Sequence, residues 1–130
     1  MSTELMIKDT DLLATVTQTE LSDLIKPLVN EIHLFDTFVA GTTYLEDQTV
    51  LDDIHIGDKL TLVREDNKFD DKAIMIYTKD NRKLGYIPEK DNLIFSRLMD
   101  AGKLLMAKIS SHDIKGTFHK IGIGIYLVDY

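Results

Sequence analysis

Lys59-Leu60-Thr61-Leu62-Val63-Arg64-Glu65-Asp66-Asn67-Lys68-Phe69-Asp70-Asp71-Lys72-Ala73-Ile74-Met75-Ile76-Tyr77-Thr78 is the stretch that decides the fold. Its two ends, residues 59–65 and 73–78, are rich in Val, Ile, Leu, Thr and Tyr, which suit a pleated, half-buried surface, so each reads as a strand. Between them lies a polar connection in which Asn67 can organise the turn by bonding its side chain to nearby backbone.

Outward from that core the same period continues. Lys79-Asp80-Asn81-Arg82 reads as a hairpin tip, because Asp and Asn tolerate the turn conformations needed there, and it leads into a strand over residues 83–87. Upstream, residues 32–40 form another strand. Downstream, residues 103–111 and 120–129 read as closing strands, with a loop at 112–118. In the last of these Ile121, Ile123 and Ile125 alternate with Gly122 and Gly124, which predicts one buried face and an opposite face open to close packing.

Two stretches carry helical spacing instead. Over residues 91–101 Leu93, Ile94, Leu98 and Ala101 share a stripe, with Gly102 as a left-handed cap, and this helix is expected to lie on the sheet. Near the N-terminus Leu21, Leu24, Ile25 and Leu28 do the same; Thr17 and Glu20 match a capping box, and Pro27 weakens the last turn. The expected class is therefore mainly β with flanking helices (α+β). Residues 1–30 form a helical segment packed on the same domain, and 31–130 the barrel.

At 130 residues the chain is the size of one domain, and its 44% hydrophobic and 28% charged residues are ordinary for a globular protein. It holds no Cys, which removes disulfides, a thiol nucleophile and Cys-based zinc sites. No apolar run is long enough to span a membrane and the N-terminus lacks a leader pattern, so a cytoplasmic location is expected. The net charge of −7 works against indiscriminate nucleic-acid binding. Charge is uneven, however: residues 1–58 hold twelve acidic and two basic side chains, residues 59–130 ten and thirteen. A mildly basic face can coexist with an acidic total.

Three blocks in order, Phe38-Val39-Ala40-Gly41-Thr42-Thr43-Tyr44, then Arg64-Glu65 with Asn67, Asp70, Ala73 and Ile74, then Leu84-Gly85-Tyr86-Ile87-Pro88, resemble the HIRAN domain. The resemblance covers about residues 34–110, and Ser96 to Lys103 also look like bacterial stand-alone members. It implies an OB-like barrel of about six strands with two flanking helices. It further implies a binding module for the 3′ end of single-stranded DNA, in a repair or replication setting. In eukaryotic members the domain precedes a SWI/SNF-type helicase; this chain has no Walker-type phosphate loop or other ATPase motif, so no enzyme activity is expected of it.

Carried over by resemblance, Tyr44 stacks on a base, and such stacking contributes about 1–3 kcal/mol. Phe69 forms the opposite wall of a base slot, although Phe is also a common core filler. Asp70 accepts a hydrogen bond from the terminal 3′ hydroxyl; a carboxylate accepts from a hydroxyl but repels a phosphate, and so separates a chain end from chain interior. Asn67 scaffolds the loop, while Arg64, Lys68, Lys72 and Lys90 attract phosphates. The chain departs from the family where DNA-binding relatives carry Arg before the stacking Tyr, since Thr43 stands there, and Leu45 replaces a second aromatic. Pro88 and Glu89 replace Lys residues, and the usual prolines are missing from the Arg-Glu-x-Asn loop. These departures support an alternative, a barrel that has lost DNA affinity and binds a protein partner.

His33, His55, His112 and His119 lack metal-ligand spacing; His112 and His119 read as a surface pair. Asp52, Asp53, Asp58, Asp66, Asp70 and Asp71 could collect into a divalent-metal nuclease site, but none has a recognised loop spacing. Neither a metal nor a cofactor is expected.

Overall fold

The computed structural model describes residues 30–129. The helix expected over residues 17–28, and its packing on the domain, lie outside the described residues. Six strands, β1 (Asn30–Phe38), β2 (Lys59–Arg64), β3 (Ile74–Tyr77), β4 (Lys83–Tyr86), β5 (Leu104–Lys115) and β6 (Phe118–Asp129), and one helix, α1 (Asn92–Asp100), follow in chain order. Two short 3-10 turns, Thr42–Tyr44 and Gln48–Asp52, fill the β1–β2 connection.

The strands form one sheet in the order β1-β6-β5-β2-β3-β4. β2–β3, β3–β4 and β5–β6 are antiparallel hairpins, and β2 lies antiparallel to β5 through Lys59↔Lys108 to Thr61↔Met106. At its end the edge strand β1 reaches from its neighbour β6 across to the other edge of the sheet, β4. Val39 N–H donates to the Ile121 carbonyl at 2.9 Å, on the β6 side. One residue later Ala40 and Tyr86 exchange two backbone hydrogen bonds, at 2.8 and 2.9 Å, on the β4 side. The residue pair Val39-Ala40 thereby joins the two edges and curls the sheet into an OB-like barrel.

That closure explains Gly85. An alanine Cβ there would lie 2.5 Å from the Ala40 carbonyl oxygen and 2.5 Å from Val39 Cγ1, far inside van der Waals contact. The strands can meet here because position 85 has no side chain.

The core follows from strand alternation. Leu60 and Leu62, Ile74 and Ile76, Leu105, Ala107 and Ile109, and Ile121, Ile123 and Ile125 point inward, joined by Val39, Val50, Leu51, Leu84 and Phe95. On the opposite face of β6, the expected close packing is supplied by β1: a Cβ on Gly124 would meet Asp36 Oδ1 at 3.3 Å and His33 Cδ2 at 3.4 Å.

Two sequence expectations need correction. Residues 112–118 are not a loop: the β5–β6 ladder runs on through His112↔Ile121 and Ile114↔His119 to Lys115↔Phe118, and turns at Gly116-Thr117. Residues 113–118 are all exposed, so no buried face marks them as strand in the sequence; the backbone ladder alone carries the pairing. On α1 the buried positions are Asn92, Phe95 and Ser96, while Leu93 and Ile94 are exposed. Asn92 and Ser96 can be buried because Asn92 donates to Asp70 and Ser96 Oγ to the Leu93 carbonyl; Phe95 packs on Phe35 with ring centroids 5.7 Å apart. Gly102 ends the helix as expected, with its N–H on the Met99 carbonyl and that of Lys103 on Leu98.

Candidate functional site

The connection from β2 to β3 is shaped by side chains bonding to backbone. Asn67 Oδ1 accepts from the N–H groups of Phe69 and Asp70, both at 2.8 Å, and its Nδ2 donates to Glu65 at 3.2 Å. Asp70 Oδ1 accepts from Lys72 N–H at 2.9 Å, and its Oδ2 accepts from Asn92 Nδ2 at 2.9 Å. The loop has no proline; these bonds hold it instead. The result turns the Asp70 carboxylate inward, half-buried, and throws Phe69 outward with 87% of its surface exposed.

Arg64 completes the loop from below. It pairs with Asp100 at the end of α1 through Nε and Nη2, at 2.9 and 3.1 Å, and donates to the carbonyls of Asp71 and Ala73 at 2.9 and 2.8 Å. Its donors serve the loop's own backbone rather than a passing phosphate. The hydrogen bond to Asp100 raises the Arg64 guanidinium pKa, and the same bond holds the Asp100 carboxyl below the usual carboxylate range. A depressed folded-state value gives stability that is present in full at neutral pH and lost as pH falls through that folded value. Arg64→Gln should therefore lower the urea midpoint at neutral pH and flatten the acid limb of the stability profile. An acid limb as steep as that of the unchanged chain would count against the clamp.

Tyr44 stands on the turn after β1. Gly41 and Thr42 carbonyls accept from the N–H groups of Tyr44 and Leu45, and Gln48 Nε2 braces the turn through the carbonyls of Thr42 and Leu45 at 3.1 and 2.9 Å. The Tyr44 ring is 89% exposed. With Gly41, Glu46, Arg82, Lys83 and Tyr86 it lines an open cavity of about 670 Å³. A second open cavity of about 510 Å³ is lined by Asn67, Lys68, Phe69, Asp70, Lys72 and Asn92, among others.

Tyr44 and Asp70 thus line different cavities rather than one groove. A hydrogen-bond chain joins the two: Lys83 Nζ donates to Tyr86 Oη at 2.8 Å, Tyr86 donates to Glu65 at 2.8 Å, and Asn67 donates to the same Glu65 oxygen. Lys83 also sits 4.3 Å from the Tyr86 ring centroid, and Lys68 5.3 Å from that of Phe69. The other cations read from the sequence are engaged within the chain. Lys72 pairs with Asp71 and Lys90 with Asp91, both at 3.1 Å, and Lys90 and Thr43 line neither cavity. The bond from Lys72 holds the Asp71 carboxyl below its ordinary range.

The sequence does not mark Lys83, Tyr86, Glu65 or Asn92 as site residues. Lys83 and Tyr86 carry one signal, their places either side of Leu84-Gly85 on a short strand next to the closure. Asn92 carries none, because a polar residue at a helix start reads as a cap. His112 Nε2 and His119 Nδ1 lie 2.8 Å apart as a pair on the β5–β6 hairpin. Among the described residues no three His, Cys, Asp or Glu side chains are grouped to hold a metal ion. The acids weighed for a nuclease site are spread among separate partners, Asp53 on Arg82 and Asp58 on His55 N–H. No helix among the described residues is long and apolar enough to cross a membrane.

Comparison with known proteins adds three findings. The family model described as the HIRAN domain matches residues 32–127. A crystal structure of a protein from Lactobacillus plantarum is similar with TM-score 0.72 and 27% identity, over 78% of this chain and 99% of that one. The crystal structure of the HIRAN domain of human HLTF is similar in fold, with TM-score 0.62 and 14% identity over 77% of this chain and 78% of that one. No curated protein matches the sequence.

Proposed function

This chain belongs to the HIRAN domain family, whose members serve in general as nucleic-acid-binding modules, and from that premise we propose that it binds the 3′-hydroxyl end of single-stranded DNA. The observation that carries the reading is the pair of aromatic rings left in water, Tyr44 at 89% and Phe69 at 87% exposure, each lining an open cavity. An exposed aromatic side chain contributes little to a fold and is a ready platform for a base. In this reading the terminal nucleotide enters the cavity beside Asp70 with its base on Phe69, and the strand continues over the hydrogen-bonded chain of Lys83, Tyr86, Glu65 and Asn67 to the second cavity, where a preceding base lies on Tyr44, with Lys83 and Lys68 near the phosphates. Asp70 accepts from the free hydroxyl and repels a phosphate in its place. The biological setting that fits is DNA repair or replication.

With so few unpaired cations, affinity is low and falls with salt at a logarithmic slope of roughly −1 to −2. Fluorescence anisotropy with short oligonucleotides tests the reading. The 3′-hydroxyl strand should bind more tightly than the 3′-phosphate strand, and Asp70→Ala should erase the difference. Equal binding of the two ends by the unchanged chain rejects end recognition.

A second reading rests on a specific observation: Arg64, Lys72 and Lys90 are all ion-paired within the chain, whose net charge is −7. A barrel so neutralised suits a protein partner, and would show no salt-sensitive oligonucleotide binding at all.

A further inference from the structure

We propose that Asn92, which lies beneath the Asp70 loop, is a positioning residue that fixes the direction in which the Asp70 carboxylate meets a ligand. The inference rests on the end-binding reading and deepens it. Asn92 lies at the floor of the cavity and is 1% exposed, so it offers a strand almost no surface of its own, yet its Nδ2 donates to Asp70 Oδ2 at 2.9 Å. The other oxygen, Oδ1, accepts from Lys72 N–H at 2.9 Å. A carboxylate gripped at both oxygens cannot rotate, and each oxygen keeps lone-pair capacity for one more donor. Orientation is then settled before the ligand arrives, and the cost of ordering the side chain is not charged to binding.

Asn92 can do this because its own place is fixed from elsewhere. Beside it, Asp91 Oδ2 accepts from the buried Thr37 hydroxyl at 2.7 Å, which ties the start of α1 to β1. At the far end of α1, Asp100 is held by Arg64, which also donates to the Asp71 and Ala73 carbonyls. The helix therefore backs the loop at two points, one at each end, and the amide of Asn92 is the point that touches the acid. A residue serving only the core would have no reason to spend a buried amide on a carboxylate that faces the cavity.

The test is a ratio: affinity for a 3′-hydroxyl strand over affinity for the same strand ending in 3′ phosphate. Asn92→Ala should lower that ratio roughly two- to ten-fold, the span of one hydrogen bond, while binding of the phosphate-ended strand stays as in the unchanged chain. The exchange Asp70→Asn with Asn92→Asp restores the bond and the stability but leaves an amide in the cavity, so the ratio should stay low. In the unchanged chain, the Asn92 side-chain amide resonances should shift on adding the 3′-hydroxyl strand and not the 3′-phosphate strand, which needs no variant to fold. An unaltered ratio in Asn92→Ala, or amide shifts equal for the two strands, overturns the role of Asn92 alone. An unchanged chain that does not distinguish the two ends overturns the end-binding reading, and this inference with it.

Discussion

Gly85→Ala is expected to destabilise the domain by about 3–6 kcal/mol, a large part of the roughly 5–15 kcal/mol that holds a typical domain folded. The new Cβ would be driven to 2.5 Å from the Ala40 carbonyl oxygen and from Val39 Cγ1, and the first of these is backbone, which cannot swing aside. Relief requires moving residues 39 and 40 off β4. That breaks the paired hydrogen bonds between Ala40 and Tyr86, each contributing about 0.5–1.5 kcal/mol, and unseats the buried Val39. Because those two residues join both edges of the sheet, the cost is not local: an opened barrel exposes core on β4 and β6 together. Gly57→Ala is the control, since nothing lies within 4 Å of a Cβ there and its φ of +94° leaves only conformational strain, about 1 kcal/mol. Urea unfolding followed by circular dichroism reads both. Equal midpoints for the two variants would contradict the closure argument.

Tyr44→Ala is expected to weaken single-strand binding about 5- to 150-fold, the loss of one base stack of about 1–3 kcal/mol, without changing the unfolding midpoint. The separation of the two effects follows from exposure: the ring packs against little of the protein, and the turn beneath it is held by Gln48 and backbone bonds that do not involve the side chain. Phe69→Ala should behave the same way, because Asn67 shapes that loop through backbone amides and Phe69 contributes none of its ring to the core. A fall in stability with no fall in binding would place both rings in the fold instead of the interface. The measurements are anisotropy titration and thermal unfolding of the same samples.

The three-strand meander from residue 59 to 86 is legible in the chain because alternation, a polar loop and an Asx-rich hairpin tip each leave a local mark. Asn81 takes a φ of 66° at that tip, as the turn chemistry requires. The far half of the β5–β6 hairpin is not legible, since His112, Asp113 and Lys115 look like loop and are held in register by the ladder rather than by burial. The stripe on α1 is misleading for a related reason. Leu93 and Ile94 are the more apolar residues, but a tertiary bond from Asn92 to Asp70 and a local one from Ser96 to the Leu93 carbonyl make Asn92 and Ser96 the cheaper ones to bury. At the candidate site, residue types are readable and their assignment is not. Asn67 as loop scaffold can be read from its neighbours, whereas the commitment of Arg64 to Asp100 and of Tyr86 to Glu65 depends on partners 36 and 21 positions away, which only the folded sheet brings together.

The most direct test of end binding is amide shift mapping on the isotope-labelled chain with a short 3′-hydroxyl oligonucleotide. The account predicts shifts concentrated at residues 41–45, 67–72, Lys83 and Tyr86, and a marked loss of those at 67–72 when the strand ends in phosphate. Shifts lying mainly on β1 or the β5–β6 hairpin, or identical for the two strand ends, would contradict it.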